Sequence, residues 1–355
     1  MEEPVAFIAP GPAAGTLKAI GNPTASGRRN HELPPYVVIL LWCIVVPLAV
    51  VALVRVVAWD VTEPFAVLNV VTAIVYLPAW IVASAAAFGR RWLLCGTAGF
   101  VVVAQITFLA PEFTASEPIP SWTSGAPTLT LFDANVYNHN PSMAGYSSAL
   151  ASIRPQLVTL EEITPPGVAE LNASGTLAAL PYRLQVRQFD PWSFLIASKY
   201  PVANANVVYA YGRPLILQAT LRLPSGPLDL WVVHTIAPLP SSYSQWVGQL
   251  DLINVAVRHH GPGHLLVLGD FNATWGSKRF RQLLDAGLTD VAAVRGQALA
   301  MTWPNDLPLL PSLVRIDHVL TGTHVAATRF ATAEGPGSDH RAMVATIAME
   351  PRSAR

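Results

Sequence analysis

The chain has 355 residues, equal numbers of basic and acidic side chains, and a mean hydropathy of +0.40. Charged residues make up 12% of it, whereas an average soluble domain contains about 25%. This composition argues against a fully water-soluble protein. It also argues against a dedicated nucleic-acid binder, which usually has a high isoelectric point.

The N-terminal third of the chain is the source of the high hydropathy. Residues 1–33 are rich in Pro, Gly, Ala and Asn, and we predict a disordered tail there. Apolar runs follow over residues 36–58, 65–88 and 92–110. Each is about as long as the ~20 residues that a helix needs to cross a bilayer. A cleaved signal peptide does not fit, because the first run starts late and two more follow. We therefore predict three transmembrane helices over residues 34–111.

Basic residues near the helix ends predict the orientation in the membrane. Arginine pairs at 28–29 and 90–91 flank one side, while residues 60–63 and Glu112 make the other side acidic. The arginine-rich side, which includes the tail, is expected to be cytoplasmic. An odd number of crossings then predicts a multi-pass protein of the cell membrane with an extracytoplasmic C-terminal domain. Three core helices of a soluble protein are the alternative interpretation.

The chain after the third apolar run has the pattern of a separate domain. Residues 112–127 are rich in Pro, Ser and Thr and predict a linker, and the domain is predicted over residues 128–350. Residues 112–355 contain 16 Lys and Arg against 17 Asp and Glu, so no strong positive field is expected. The only cysteines, Cys43 and Cys95, lie in the apolar runs, so the domain has no internal disulfide and must depend on its core.

Many short strand patterns and a few helical ones alternate along this domain. Apolar alternation predicts strands over 129–136, 157–162, 182–188, 193–198, 215–223, 228–234, 265–271, 314–320, 325–331 and 342–349. Helical periodicity predicts helices over 144–153, 168–180 and 243–259. This mixture in one unit favours an α/β sandwich.

Polar side chains stand at the ends of six of these strands. Asp270 and Asn272 follow a buried strand two residues apart, so an extended backbone would point both to the same side. The other polar residues in such positions are Asn135, Glu162, His234, Asp317, Asp339 and His340. Taken singly, each is compatible with an ordinary turn, cap or buried hydrogen bond. Together they predict one polar site.

Eight short motifs carry a resemblance to a known family. They are ANV at 134–136, LEE at 160–162, SKYP at 198–201, VVH at 232–234, GDFN at 269–272, TWP at 302–304, IDHVL at 316–320 and GSDH at 337–340. In this order they resemble the endonuclease/exonuclease/phosphatase (DNase I-like) superfamily. The resemblance implies a four-layered α/β sandwich, two stacked β-sheets flanked by helices, with one active site at one edge. It also implies a hydrolase that acts on phosphoester bonds with Mg²⁺, or Mn²⁺, as cofactor.

The resemblance also implies roles for the polar residues. Glu162, Asn135 and Asp339 are the expected metal ligands, which fits the preference of Mg²⁺ for oxygen atoms. Asp270 is the expected base for the attacking water, oriented by Asn272. His234 and His340 are expected to donate hydrogen bonds to the transition state, with Asp317 fixing the imidazole of His340.

One position departs from the family pattern, in which Gln usually precedes the metal-binding Glu. Here Glu161 stands in its place. We expect the extra carboxylate to add negative charge, which would bind a second cation or disfavour a polyanion such as DNA.

The three apolar runs, together with the motif LEE at 160–162, make the chain similar to the vancomycin/teicoplanin-resistance membrane proteins. That similarity implies a lipid-linked phosphate ester as substrate, such as undecaprenyl pyrophosphate in the cell envelope. Candidate groups for holding a diphosphate are Arg183, Arg187, Lys199 and Arg213. Two alternatives are a membrane-tethered nuclease or phosphodiesterase, and a non-catalytic membrane protein that retains the fold. Protein partners and oligomeric state have no signal in the sequence.

Overall fold

The structure is a computed structural model that describes Met1 and residues 33–60, 62–187, 191–307 and 309–350. The predicted disordered tail over residues 1–33 falls outside the described part, apart from its first and last residues. Its disorder and its cytoplasmic location stay predictions.

Five helices form the described N-terminal part: α1 (Pro35–Val57), α2 (Glu63–Val70), α3 (Thr72–Val75), α4 (Leu77–Phe88) and α5 (Trp92–Thr114). By length and composition, α1 and α5 can each cross a membrane. A third crossing is available if α2 and the helical stretch after it count as one bent span. Helix α5 extends beyond the predicted Ala110, so Glu112 lies in its last turn and not in a linker.

The second apolar run is not the straight helix that its length predicts. It bends by 82° between Glu63–Val70 and Thr72–Phe88. At the break, the backbone carbonyls of Asn69 and Val70 accept hydrogen bonds from the hydroxyls of Thr72 and Thr274. These side chains satisfy carbonyls that an unbroken helix would use in its own ladder. Because Thr274 lies far along the chain, the sequence of the run alone could not show the break.

The C-terminal domain follows a short 3₁₀ helix at Ser121–Thr123. Its helices are α6 (Ala144–Ile153), α7 (Pro165–Ala173), α8 (Tyr243–His260), α9 (Lys278–Asp285) and α10 (Val291–Val294). Its strands are β1 (Thr128–Asn135), β2 (Leu157–Glu161), β3 (Tyr182–Val186), β4 (Phe194–Ser198), β5 (Val202–Ala210), β6 (Arg213–Leu223), β7 (Gly226–His234), β8 (Leu265–Asp270), β9 (Thr289–Asp290), β10 (Asp317–Thr321), β11 (Val325–Ala333) and β12 (Ala342–Met349).

The strands form two mixed sheets that stack face to face. Their orders are β11-β12-β1-β2-β4-β3 and β5-β6-β7-β8-β10-β9. Apolar side chains from both sheets, such as Leu131, Leu157, Val232 and Leu268, fill the space between them. Helices α6 and α7 cover the outer face of the first sheet, and α8 and α9 cover that of the second. This arrangement confirms the predicted four-layered α/β sandwich.

Element bounds differ from the predictions in a few places. The edge strand β5 was not predicted, because two register shifts against β6 leave it without a regular alternation. Helix α7 begins at Pro165, three residues before its predicted start, because Thr164 caps its N-terminus by accepting from Gly167 N. Strand β10 begins at Asp317, later than predicted, since Val314 forms only an isolated bridge to Trp303.

Strand register gathers the polar strand ends at one edge of the sandwich. The parallel pair β1–β2 places Asn135 opposite Glu161, and the parallel pair β7–β8 places His234 opposite Asp270. Antiparallel pairing of β10 with β8 then places Asp317 on the other side of Asp270. Parallel neighbours end at the same edge of a sheet, so this pairing brings the predicted polar residues together.

The N-terminal helices contact the domain just beyond strand β8. Trp59 Nε1 donates to Gly276 O at 2.9 Å, and Lys278 N donates to Asp60 Oδ2 at 2.7 Å. Ala66 of α2 belongs to the same apolar cluster as Phe271. Residues 274–278, hereafter the docking segment, therefore hold the apolar helices against the sandwich.

A second buried contact joins the end of α5 to the domain. Arg315 pairs with Glu112 of α5 and with Asp290 Oδ2, the latter at 3.2 Å. Asp290 Oδ2 also accepts from Trp275 Nε1 at 2.7 Å and lies 3.1 Å from His318 Nδ1. Burial alone would raise the pKa of Asp290, but Arg315, His318 and Trp275 hold it below its ordinary value.

Replacement of Asp290 by Asn should destabilise the protein. The change keeps a side chain that can cap α10 but removes the charge that pairs with buried Arg315, which should cost about 3 kcal/mol of unfolding free energy. The lowered pKa makes this contribution complete above the unfolded-state value of about 4 and lost as pH falls through the folded-state value. The difference in melting temperature between variant and wild type, measured in detergent, should therefore be large at pH 7 and shrink at about pH 3. Asp251→Asn removes an exposed partner of Arg279 and should have little effect.

Gly276 has no room for a side chain. A Cβ there would lie 1.7 Å from the backbone oxygen of Asn69 in the bend. Gly276→Ala should therefore push the bent helices from the docking segment and lower stability by about 1–3 kcal/mol. Gly263→Ala is the matched control, since its Cβ would meet its nearest neighbour at 3.7 Å. Equal melting temperatures for the two variants would contradict the close packing.

Candidate active site

All eight predicted site residues lie at the strand-end edge. They are Asn135, Glu162, His234, Asp270, Asn272, Asp317, Asp339 and His340. Most are buried or nearly so, although ionisable groups normally stay in water. Such a concentration of buried polar groups is typical of a functional site.

The side-chain amide of Asn135 joins two of the carboxylates. Its Nδ2 donates to Glu162 Oε1 at 3.0 Å and to Asp270 Oδ2 at 3.2 Å. Glu162 Oε2 accepts from the backbone N–H of Asn138 at 3.1 Å. Glu162 has a φ of +56°, which is uncommon for a residue with a side chain and typical of functional positions.

Asp270 and Asn272 do face the same space, as their spacing predicts. Asp270 Oδ1 accepts from Asn272 N at 2.8 Å, and Oδ2 accepts from Asn272 Nδ2 at 3.1 Å. Asn272 Nδ2 also donates to Thr235 O at 2.9 Å. The backbone at Asn272 is not extended, however, because its φ is +46°. A tight turn, stabilised by these hydrogen bonds, therefore orients the Asp270 carboxylate.

Asp317 holds the ring of His340. His340 Nδ1 lies 2.9 Å from Asp317 Oδ2, and Nε2 faces Asp270 Oδ2 at 3.9 Å. Burial alone would lower the pKa of His340, but Asp317, Asp270 and Asp339 raise it to about 10. The ring is therefore a cation at neutral pH and can donate from both nitrogens.

The pKa of Asp270 is raised, whereas a nearby cation would lower the pKa of an exposed carboxylate. Burial and the charge of Asp317 raise it to about 8, although His340 and the hydrogen bonds from Asn272 and Asn135 oppose the rise. A raised pKa makes Asp270 a stronger base than an exposed Asp, which suits proton transfer near neutral pH. A divalent cation at this edge would lower the pKa again.

His234 stays neutral beside these charges. Its Nε2 lies 3.5 Å from Glu162 Oε1 and 3.9 Å from Asp270 Oδ2, and burial lowers its pKa. Trp192 stacks on its ring with 4.9 Å between ring centroids, and the guanidinium of Arg213 lies 4.9 Å from the Trp192 ring. Sequence reasoning missed Trp192, whose only signal was a bulky aromatic directly before a buried strand.

Asp339 lies beside His340, with Oδ1 at 3.9 Å from His340 Nε2. Its Oδ2 accepts from Trp303 Nε1 at 3.2 Å. Among the described residues, no hydrogen bond joins Asp339 to Asn135 or Glu162. Ser338, which precedes it, donates to Asn135 O at 2.8 Å and so fixes the GSDH segment to the end of β1.

The donor set at this edge fits a hard divalent cation, which prefers carboxylate oxygens. Asp270 and Asp317 present carboxylate oxygens within 4.8 Å of each other, and Glu162 lies close by through Asn135. Asn135 Oδ1 accepts from Tyr137 N at 3.0 Å, so its amide nitrogen, not its oxygen, faces the carboxylates. Direct ligation by Asn135 and by Asp339 stays a prediction.

Glu161 departs from the family pattern and lies behind the site. Its side chain is fully buried, and its carboxyl group interacts with that of Asp133. Burial and the charges of Asp133, Asp317 and Asp270 raise its pKa well above the ordinary value. The effect of this carboxyl group on a second cation or on DNA stays a prediction.

Two of the four proposed diphosphate ligands lie away from the site. Ser198, next to Lys199, pairs with Leu157 at the start of β2, whereas the site lies at its end. The Arg183 guanidinium donates to Asn172 Oδ1 and to the carbonyls of residues 177 and 180. Arg213 lies near the site through Trp192, and Arg187 follows the end of β3 next to β4 residue Phe194.

A family model described as the Endonuclease/Exonuclease/phosphatase family matches residues 134–340, more than half of the chain. The chain belongs to this family. Membership supports a phosphoester hydrolase, consistent with the buried acidic and histidine cluster. Membership also agrees with the motifs that span the strand ends. No curated protein matches the chain significantly.

Solved structures of the Endonuclease/Exonuclease/phosphatase fold resemble this one. A truncated TDP2 from Caenorhabditis elegans is 16% identical, with a TM-score of 0.52 over 62% of this chain and 97% of that chain. The 3'-5' exonuclease NExo from Neisseria meningitidis is 17% identical, with a TM-score of 0.51 over 62% and 100%. A family protein from Bacteroides thetaiotaomicron is 14% identical, with a TM-score of 0.51 over 63% and 99%. At these identities the likeness shows the fold alone.

Removal of the Glu162 carboxylate should weaken divalent-cation binding. Glu162→Gln keeps the shape of the side chain but removes a negative oxygen ligand, so Mn²⁺ affinity should fall by about tenfold or more. Titration followed by electron paramagnetic resonance measures this in the purified protein. Glu334→Gln removes an exposed carboxylate paired with Arg341 and should leave affinity unchanged. Equal affinities in the two variants would exclude Glu162 as a ligand.

Proposed function

We propose that this protein is a membrane-anchored, metal-dependent phosphoester hydrolase whose site faces the membrane surface. One observation carries the chemistry. A buried carboxylate of raised pKa, Asp270, lies 3.9 Å from a histidinium, His340, and 3.9 Å from a neutral histidine, His234. A base and two hydrogen-bond donors therefore converge on one space.

Hydrolysis at this site would proceed by attack of water on phosphorus. Asp270 in its ionised form accepts a proton from the water as the new P–O bond forms and the ester P–O bond breaks, and the leaving oxygen departs and takes up a proton from solvent. His340 and His234 donate hydrogen bonds to the phosphoryl oxygens, which carry the charge of the transition state. Asp317 keeps the ring of His340 charged and oriented, and Asn272 orients the carboxylate of Asp270. Glu162, with Asn135 and Asp339 as further candidate ligands, would hold Mg²⁺ or Mn²⁺, and the ion would neutralise charge on the phosphoryl oxygens.

The helices support anchoring in the cell membrane. The C-terminal ends of α1 and α5 both meet the sandwich, at Trp59 and at Glu112. The connection between α4 and α5 carries Arg90 and Arg91. A basic connection on one side and the sandwich on the other agree with an extracytoplasmic domain, by the excess of Lys and Arg on cytoplasmic sides. The proposed division is a membrane domain over 34–111 and a hydrolase domain over 128–350.

The position of the site favours a substrate held in the membrane. The docking segment begins two residues after Asn272, so the loop that orients Asp270 also contacts the apolar helices. A lipid with a phosphorylated headgroup would present its phosphate at that level. The similarity to vancomycin/teicoplanin-resistance proteins points to undecaprenyl pyrophosphate. Residues 112–355 are nearly neutral, which disfavours a nucleic acid as substrate.

Phosphate release from undecaprenyl pyrophosphate in detergent tests the proposal. Wild type should release phosphate in the presence of Mg²⁺, and chelation should abolish the release. Asp270→Asn should lower the rate by about a thousandfold, because the base is lost while the shape is kept. Asp251→Asn, on the surface, serves as the control.

Plasmid DNA under the same conditions is the parallel substrate. Nicked DNA without phosphate release would identify a tethered nuclease and overturn the lipid substrate. Inactivity on both substrates, together with no Mn²⁺ binding, would favour a non-catalytic protein that retains the fold.

A further inference from the structure

An exposed apolar loop lies between the site and the end of α5. Residues 305–307 and 309–313, hereafter the leucine loop, have the sequences NDL and LLPSL, and Pro308 between them lies outside the described residues. Leu307, Leu309 and Leu310 are 44%, 95% and 55% exposed. Three neighbouring leucines open to water are a costly arrangement on a soluble surface and mark a site of contact with an apolar partner. Asp306 is the only charged residue in the loop.

The loop is held at its base. Trp303 and Val314 form an isolated bridge, with Val314 N donating to Trp303 O at 3.0 Å. Within the loop, Leu310 N donates to Leu307 O at 3.2 Å. The exposed leucines thus lie between two chain ends that are fixed to the sandwich.

One side of the loop is attached to the site. Asn305 N donates to Asp339 O at 2.8 Å, and Asn305 Nδ2 donates to Ser338 O at 3.2 Å. Trp303, just before the loop, donates through Nε1 to Asp339 Oδ2. Any surface that the leucines contact is therefore close to His340, which follows Asp339.

The other side of the loop meets the apolar helices. Leu313 and Val314 line a small cavity together with Leu109 of α5 and Val70 of α2. The next residue, Arg315, pairs with Glu112 in the last turn of α5. Helix α5 has 23 residues and is about 34 Å long, slightly more than the ~30 Å hydrocarbon thickness. Its last turn, and with it the base of the loop, would therefore lie at the membrane surface.

We propose that the leucine loop inserts its leucines into the outer leaflet of the membrane and holds the site edge against it. The occupant of this surface is the lipid bilayer that α5 crosses, because the loop base is continuous with the end of that helix. The inference rests on the membrane anchoring in the proposed function, and it defines the substrate class as phosphoesters presented at the lipid surface. Trp303, which is 39% exposed, stands at the level where tryptophan is enriched in membrane proteins.

Direct contact with lipid can be measured without reference to activity. In a background with Cys43→Ala and Cys95→Ala, the thiol introduced by Leu309→Cys is labelled with a fluorophore in vesicles of phosphatidylethanolamine and phosphatidylglycerol. Brominated lipids should quench this label. The control is Tyr182→Cys, since Tyr182 is exposed and lies at the start of β3 far from the site. Equal quenching at the two positions, or none at 309, would overturn the insertion.

Activity tests whether insertion serves the site. Leu309→Ser with Leu310→Ser should lower hydrolysis of undecaprenyl pyrophosphate in vesicles by about tenfold, because apolar area that enters the lipid is lost. Hydrolysis of a water-soluble ester, bis(p-nitrophenyl) phosphate, should stay within about twofold, since both leucines are exposed and neither is a site residue. Tyr182→Ser is the control variant.

The outcomes separate this inference from the proposed function. Wild-type hydrolysis of the vesicle substrate with no loss in the leucine variant would contradict the loop's role and leave the proposed function intact. Quenching at position 309 in a protein that hydrolyses neither ester would support insertion and refute the proposed function. An equal loss on the vesicle and soluble substrates would contradict the role in presenting lipid substrates.

Discussion

The burial of four interacting carboxyl groups is the constraint on which the site depends. Asp133, Glu161, Asp270 and Asp317 are all buried, and the cationic ring of His340 faces Asp270 and Asp317. Carboxylates this close cannot all be ionised without opposite charge, so some hold protons and the others need a cation. The raised pKa values of Asp133, to about 7, and of Asp270 express this conflict. The free-energy cost of burying these carboxyl groups follows from the fold, because strand pairing brings their side chains together.

The polar residues at the strand ends made much of this arrangement predictable from the sequence. Apolar strands end in polar residues, and pairing then places Asp270 between His234 and Asp317. Features that depend on distant residues were not predictable. The bend in the second apolar run depends on a hydroxyl from Thr274, and the raised pKa of Glu161 depends on burial and on three carboxylates from other strands. A sequence pattern shows the periodicity within one helix or strand. It cannot show how deeply a side chain will be buried, or which distant residue will hydrogen-bond to a backbone carbonyl.

The loop after β8 joins two parts of the molecule that the sequence treats as separate domains. Asp270 and Asn272 begin this loop, and the docking segment ends it on the apolar helices. Because only a few residues separate the two, a displacement of the helices would be transmitted to the turn that orients Asp270. Arg315, between Glu112 and Asp290, provides a second attachment. The apolar helices are therefore part of the structure that holds the site.

Attachment at two points also changes how such an enzyme meets its substrate. The Trp59 and Asp60 contacts on one side and the Arg315 contact on the other leave the sandwich little freedom to tilt away from the helices. A site kept at a constant height above a bilayer searches an area, not a volume. The encounter rate then depends on the number of substrate molecules per unit area of membrane. Dilution of the same vesicles in more water would leave that rate unchanged, whereas dilution of the substrate with other lipids would lower it.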